Sequence, residues 1–272
     1  MKNSKFTPYL STMLIGLLLC FSAASAASED NKVIKACGHH DYAPWNWLQD
    51  GHIVGVCVDL ASQLFQQLGY TLDLSYVGPW KRCQQLIAQG KMDLNICVIK
   101  NDQRANYSEF SKYPIAQNEN AIFVRADEPF EFNHLSDLKY QTVGLVRGVS
   151  LGNKVDDFLA KNTQLVLVED FSRLFQMLVL KRIDLLIVGR ASGLDYIKQG
   201  HIEQEVIDLP KPVAIFNLHM AMSKKSLFLP SLTEIDQILS AKEYQNADAQ
   251  LFEHHSKMFM QYKSRALPEP EQ

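Results

Sequence analysis

The sequence predicts an α/β protein of two lobes, each a mainly parallel sheet flanked by helices, with a cleft between them. Three observations predict it. Strand-like and helix-like segments alternate along the chain, and parallel strands need such crossovers between them. The alternation comes in two sets of the same kind: strand, turn, helix, strand, helix, strand. The length of 272 residues, with 47% hydrophobic and 21% charged, supplies a sizeable core that can be split in two.

The N-terminus is set apart. Residues 1–26 read as a secretory leader: Lys2 and Lys5 open it, residues 13–21 (MLIGLLLCF) are apolar, and Ala24-Ser25-Ala26 precedes the cut. The apolar run is too short to span a membrane, and no comparable run follows. Cys20 is preceded by Leu19, where lipid attachment needs a small residue, so cleavage after Ala26 is expected. Loss of Lys2 and Lys5 takes the net charge from -3 to -5. That balance excludes a broad basic face for nucleic acid. An exported chain in the periplasm is expected.

In the first set, residues 33–37 form a strand that runs into a turn-rich stretch at 38–50. Leu60, Leu64 and Leu68 space a helix over 58–68 that Gly69 stops. Residues 71–77 alternate as a strand, 80–89 are helical and closed by Gly90, and 93–99 are again a strand. The second set has a strand at 121–124, a strand at 142–146, a turn at Gly148 and a helix at 152–161. A strand at 165–168, a helix at 172–180 and a buried strand at 184–188 complete it. A strand at 218–222, helices at 232–239 and 247–260, and a loose tail with two prolines follow.

Ligands of such sheets sit beyond the carboxyl ends of strands, and with two lobes the pocket falls in the cleft. The loops to inspect are 38–45, 78–80, 97–104, 147–150 and 189–192. Every tryptophan lies in the first lobe: Trp45 and Trp47, equally well read as core, and Trp80, which with Tyr42 stands beside a proline at a strand end. Flat rings there would sandwich a ligand. Arg104 follows Asn101, a candidate cap for a short helix, and a guanidinium can grip a carboxylate in bidentate fashion; a surface ion pair with Asp102 or Glu109 is the plainer use of it. Arg147 and Arg190 are single arginines at second-lobe strand ends, with Gly148 giving room for close approach and Ser150 a hydroxyl at the next helix start.

An exported chain favours disulfides, and four cysteines remain after the leader: Cys37, Cys57, Cys83 and Cys97. Three connectivities are open to them; Cys57–Cys83 with Cys37–Cys97 is the one leaned to here. Cys37, His39 and His40 lie together, but no second half of a zinc pattern accompanies them, and His254-His255 is a separate helical pair. Solvated or turn histidines explain them, and no metal or cofactor is implied.

Several segments in order carry a resemblance. They are Tyr42-Ala43-Pro44-Trp45, Gly55 to Leu60 leading to Leu68-Gly69, Gly90-Lys91-Met92-Asp93, the Arg104 segment with Phe110 to Pro114, and Val143 to Gly148. The chain resembles the extracellular solute-binding proteins of family 3, the polar-amino-acid type serving ABC importers, over nearly all of its mature length. The resemblance implies the type 2 periplasmic-binding-protein fold. Lobe one would hold 32–123 and 217–262, lobe two 124–216, with crossings near 121–125 and 213–218 and a tail at 263–272. It implies hinge closure on a small-molecule ligand. Arg104 matches the arginine that grips an α-carboxylate, Tyr42 and Trp80 the side chains that pack on the ligand body, and Ser150 a hydroxyl reaching the carboxylate from the other lobe.

Two departures matter. Gly189 and Arg190 stand where relatives that bind α-amino acids carry an aspartate for the amino group, a loss of roughly 1.5–3 kcal/mol of charge-assisted bonding. Cys97 and Ile99 stand where hydroxyl residues are common. The expected ligand is therefore a small carboxylate-bearing solute, amino-acid-like or another organic anion, and the missing aspartate counts against a standard α-amino acid. The expected protein is a monomeric binding protein handing its solute to an ABC permease, with no chemistry of its own. An enzyme resembling the secreted cyclohexadienyl dehydratases is the alternative; it needs a placed acid or base, with Glu119, Glu169 and His219 as candidates. A ligand sensor for a membrane receptor is the third reading.

Overall fold

The computed structural model describes residues 32–128, 130–241 and 248–266. The leader at 1–26, Cys20 and the chain beyond 266 lie outside the described residues.

The chain enters on β1 (Val33–Cys37) and makes a small antiparallel meander of β2 (Asp41–Tyr42), β3 (Asn46–Gln49) and β4 (His52–Val54). Strands this short have no readable period, so the sequence gives only a turn-rich stretch there. Next come α1 (Val56–Gln67), β5 (Thr71–Leu74), α2 (Trp80–Gln89), β6 (Leu94–Ile99), the single turn α3 (Asp102–Ala105), β7 (Ser108–Phe110) and the long β8 (Ala116–Arg125). The second set follows: β9 (Thr142–Val146), α4 (Asn153–Asn162), β10 (Gln164–Val168), α5 (Phe171–Val179), β11 (Leu185–Gly189), α6 (Arg190–Gly200) and β12 (Val206–Asp208). The chain returns on β13 (Ala214–Ser223) and ends with α7 (Ser231–Leu239) and α8 (Asp248–Ala266), which runs past the predicted end at 260 into the segment expected to be tail.

The sheet order is β10-β9-β11-β8-β13-β6-β1-β5. At one end β1 pairs in parallel with β5 and β6; at the other β9 pairs in parallel with β10 and β11. The two parallel sets are joined by antiparallel β8 and β13, which pair with each other from Ala116 to Asn120. Beyond Asn120, β8 pairs with β11; beyond Leu218, β13 pairs with β6. The fold is thus two-lobed, with two strands crossing between the lobes.

Each element follows from its apolar spacing. On α1 the buried residues Val56, Leu60, Ala61, Leu64 and Phe65 form one face against β1, β6 and α7. On α5 Phe171, Leu174, Phe175 and Leu178 do the same, and Asp170 caps the helix by accepting from the Arg173 N–H at 2.8 Å. The crossing strand β8 shows the strand period: Ala121 and Phe123 enter one core, Ile122 and Val124 the core on the other face. The helix α6 went unread in the sequence because its spacing is weakly amphipathic. It packs closely on β8 at Gly193, where an added Cβ would meet the Phe123 ring at 2.2 Å.

The cysteines pair differently from the expected arrangement. Cys37 joins Cys83 and Cys57 joins Cys97. The reason is topological: Cys37 and Cys97 lie on neighbouring strands but their side chains enter different cores, Cys37 with α2 and Cys97 with α1. Each strand cysteine therefore meets the helix on its own face. Trp45 and Trp47 are core residues, 5% and 1% exposed.

Candidate ligand-binding site

The loops after β1, β5, β6, β9 and β11 converge, with the crossing strands, on one cavity of about 530 Å³ of space between its atoms, mouth included. Its wall is largely apolar, with Val98, Ile99, Val149, Phe171, Val188 and Leu218 among its residues. The polar side chains that line it are His39, Tyr42, Arg104, Asn120 and Ser150; no aspartate or glutamate does.

Arg104 is the cavity's cation. Asn101 caps α3 by accepting from the Arg104 N–H at 2.8 Å, which sets the side chain at the end of β6. The guanidinium is buried, with Nη1 donating to the Ile99 carbonyl at 2.6 Å and Nη2 to the Gly148 carbonyl at 3.0 Å. It makes no ion pair with a carboxylate among the described residues. Burial brings its pKa down to about 10, against the pull of Tyr107, Asp156 and Tyr42, so it is cationic at neutral pH. A buried cation with no carboxylate in direct contact is costly, and an anion placed beside it would offset that cost.

Trp80 stands at the start of α2 with the Arg104 guanidinium 5.9 Å from its ring centre, and its Nε1 donates to the same Gly148 carbonyl at 3.0 Å. Gly148 has φ 85, and a Cβ there would lie 3.3 Å from the Trp80 ring, so glycine is needed for both conformation and closeness. The Ser150 hydroxyl donates to Asp156 at 2.5 Å and accepts from the Gly152 N–H, while Asp156 also takes the Leu151 N–H at 2.7 Å. One carboxylate on α4 thus shapes the whole turn.

His39, read from sequence as a solvated or turn histidine, lies in the loop after β1 and is buried, 4% exposed. Its Nδ1 accepts from the Asp41 N–H at 2.9 Å, so the ring proton sits on Nε2. Burial, with His40 and Arg104 nearby, holds its pKa well below the ordinary value, and the ring is neutral. Asn120 on β8 was missed altogether. The signal available was Asn118 and Asn120 two apart in a strand, which places both amides on one face.

Gly189 ends β11 beside Asn120 in register. A Cβ there would come within 2.9 Å of Asn118 Oδ1 and 3.1 Å of the Tyr42 ring, so a side chain at this position would have to displace one of them. The departure from the amino-acid-binding pattern is built into the packing.

Of the residues expected at the site, Tyr42, Trp80, Cys97, Arg104 and Ser150 line the cavity, and Gly148 borders it through its carbonyl. Cys97 does so as half of a disulfide. Arg147 and Arg190 stand elsewhere. Arg147 is half exposed and paired with Glu169 at 2.7 Å. Arg190 pairs with Glu119 and Asp208 and donates to the Leu209 and Pro210 carbonyls. These pairs occupy Glu119 and Glu169, and His219 Nδ1 contacts the Ser111 carbonyl at 2.9 Å, so none of the three acid–base candidates lines the cavity.

The family model of the bacterial extracellular solute-binding proteins, family 3, matches residues 34–250. The chain belongs to this family. Solved structures agree on the fold of this family 3 protein. An arginine-bound amino acid ABC transporter substrate-binding protein, AbpA, from Streptococcus pneumoniae is 23% identical, with TM-score 0.68, covering 84% of this chain and 95% of that one. ArgBP from T. maritima is 20% identical, with TM-score 0.69 and 84% and 96% covered. A histidine kinase sensor domain with similarity to periplasmic binding proteins is 22% identical, with TM-score 0.69 and 81% and 96% covered. No protein in the curated comparison matches the sequence. Among the described residues no helix is long and apolar enough to cross a membrane, and no group of His, Cys, Asp or Glu could hold a metal ion.

Proposed function

We propose that this family 3 protein is an exported, monomeric receptor that captures a small carboxylate-bearing solute between its lobes and hands it to an ABC permease. Removal of a leader at 1–26 would release it to the periplasm. The lobes would comprise 32–123 with 217–262, and 124–216, consistent with a crossing where β8 and β13 pair. Arg104 carries the reading: a buried cation with no ion-paired carboxylate among the described residues, set at the wall of a largely apolar cavity. Tyr42 and Trp80 would pack on the solute's body, with Gly148 and Ser150 closing from the second lobe.

The ligand of the arginine-bound neighbour does not carry over, because among the described residues no carboxylate lines this cavity to hold an ammonium or a second guanidinium. The sensor-domain neighbour supports the same capture step feeding a receptor in place of a permease.

The experiment is titration calorimetry and thermal shift with a panel of aliphatic and aromatic carboxylates, oxo acids and amino acids. Ligands stabilise by mass action. Arg104→Ala is expected to weaken binding by about 2–5 kcal/mol, thirtyfold or more, because it truncates the buried partner of a charge pair. Arg104→Lys should recover only part of that loss, since lysine lacks the planar fork. Affinity unchanged in Arg104→Ala, with a folded circular dichroism spectrum, overturns the reading.

A further inference from the structure

Two buried donors in the cavity wall have no partner among the described residues: His39 Nε2 and Asn120 Nδ2. Both side chains are more than nine-tenths buried, at 4% and 3% exposed. A buried donor left without an acceptor carries its full desolvation penalty with nothing to offset it. Two such groups on one cavity wall point to a ligand that satisfies them.

Their polarity is determined by their neighbours. The Trp45 indole can only donate, and its Nε1 lies 3.2 Å from Asn118 Oδ1, so that oxygen must face it. The Asn118 amide nitrogen then faces Asn120 and donates to Asn120 Oδ1 at 3.1 Å. Asn120 is left with its NH₂ free of protein partners. The relay has one direction, from indole through two amides to a donor at the wall. His39 reaches the same result separately, because accepting the Asp41 N–H leaves only an N–H on its other nitrogen.

We propose that His39 and Asn120 donate to a neutral acceptor oxygen on the ligand, with Trp45 and Asn118 as positioning residues, and that the ligand is an oxo acid with an apolar body. This rests on the reading of Arg104 as the carboxylate anchor. An ammonium would present more donors to donors. A second carboxylate would have no second cation, since Arg104 is the one cationic side chain lining the cavity. The walls of Val98, Val149, Phe171, Val188 and Leu218 suit a branched or aromatic body.

Pairs matched in skeleton test this: 4-methyl-2-oxopentanoate against leucine, and phenylpyruvate against phenylalanine, by calorimetry. The wild-type protein should prefer at least one oxo acid to its amino acid by tenfold or more. Asn120→Asp replaces the donor by an acceptor and should bring that ratio within threefold or invert it; Asn120→Ser, which places no charge there, should lower it as well. Trp45→Phe keeps an aromatic ring beside Phe252 but frees the Asn118 amide to turn; the ratio should fall while binding still depends on Arg104. A ratio unchanged in the folded Asn120 variants overturns the inference. So does Arg104-dependent binding in which the amino acids match or exceed both oxo acids, or in which other carboxylates bind and neither oxo acid does; these outcomes leave the carboxylate reading standing. Binding by no carboxylate of the wider panel overturns both.

Discussion

His39 links the pocket's chemistry to pH. In the folded protein its pKa is held well below 6.5, first by burial and then by His40 and Arg104. The unfolded chain therefore takes up a proton near pH 6.5 that the folded chain refuses. Unfolding binds more protons below that point, so this group's effect is absent above it and lowers stability as pH falls towards the folded pKa. One proton sets a ceiling of about 1.4 kcal/mol per pH unit on the slope. His39→Asn keeps an acceptor for the Asp41 N–H and removes the titration. Urea unfolding between pH 7 and pH 5 should show stability falling more steeply in the wild type than in His39→Asn. Asp195, whose pKa burial raises to about 6, titrates in both proteins and drops out of the difference. Parallel pH profiles would remove His39 from this account.

The same residue marks how far single positions could be read. Arg104, Tyr42, Trp80 and Ser150 were visible because they follow strand ends, which a strand–helix alternation locates. His39 and Asn120 were not, because burial of a polar side chain is decided by what packs over it. Arg147 and Arg190 occupy the expected loops and yet find carboxylates outside the cavity, Glu169 for one and Glu119 with Asp208 for the other. A strand end gives an address but no direction.

At the scale of elements, the disulfides fasten α1 and α2 to strands of the sheet between them. Cys37–Cys83 ties β1 to α2, and Cys57–Cys97 ties α1 to β6. The sequence separations of 46 and 40 correspond to about 4 kcal/mol each on a chain-entropy estimate. The loops interlock, so removing both should cost less than the sum. Chemical denaturation of Cys37→Ala with Cys83→Ala, and of Cys57→Ala with Cys97→Ala, is expected to show losses of about 2–5 kcal/mol. The first pair should also weaken ligand binding, since α2 begins at Trp80 and Cys83 lies one turn along. Loss of stability with affinity intact would separate the tether from the site. Regular helices other than α6, and the inner strands, were legible through their apolar spacing. The meander β2–β4 and the edge strands β7 and β12 were not, because two to four residues hold no period; the turn α3 was visible only through its cap, Asn101. Disulfide pairing needed knowledge of which face of the sheet each cysteine entered.

At the scale of the molecule, the crossing strands β8 and β13 leave the lobes held together in front by hydrogen bonds between their loops. Trp80 and Arg104 reach the Gly148 carbonyl, the Phe171 N–H reaches Asp41 at 2.8 Å, and Ser192 reaches the Ala43 carbonyl. These contacts exist only when the proposed cleft is closed, so each biases the equilibrium between open and closed forms and through it the apparent affinity. Trp80→Phe tests one of them. It keeps an aromatic face for Arg104 and the ligand but removes the indole donor, leaving Gly148 with Arg104 alone. A hydrogen bond of about 1 kcal/mol corresponds to roughly a fivefold shift towards the open form. The dissociation constant of the tightest-binding carboxylate should therefore rise by about that factor. The unliganded variant should also show a larger radius of gyration in small-angle scattering than the wild type. Weaker binding without expansion would assign the indole to ligand contact, and neither change would remove this bond from closure. Arg104→Ala, by contrast, should weaken binding by about thirtyfold or more in open and closed forms alike, because it removes the charge and not the latch alone.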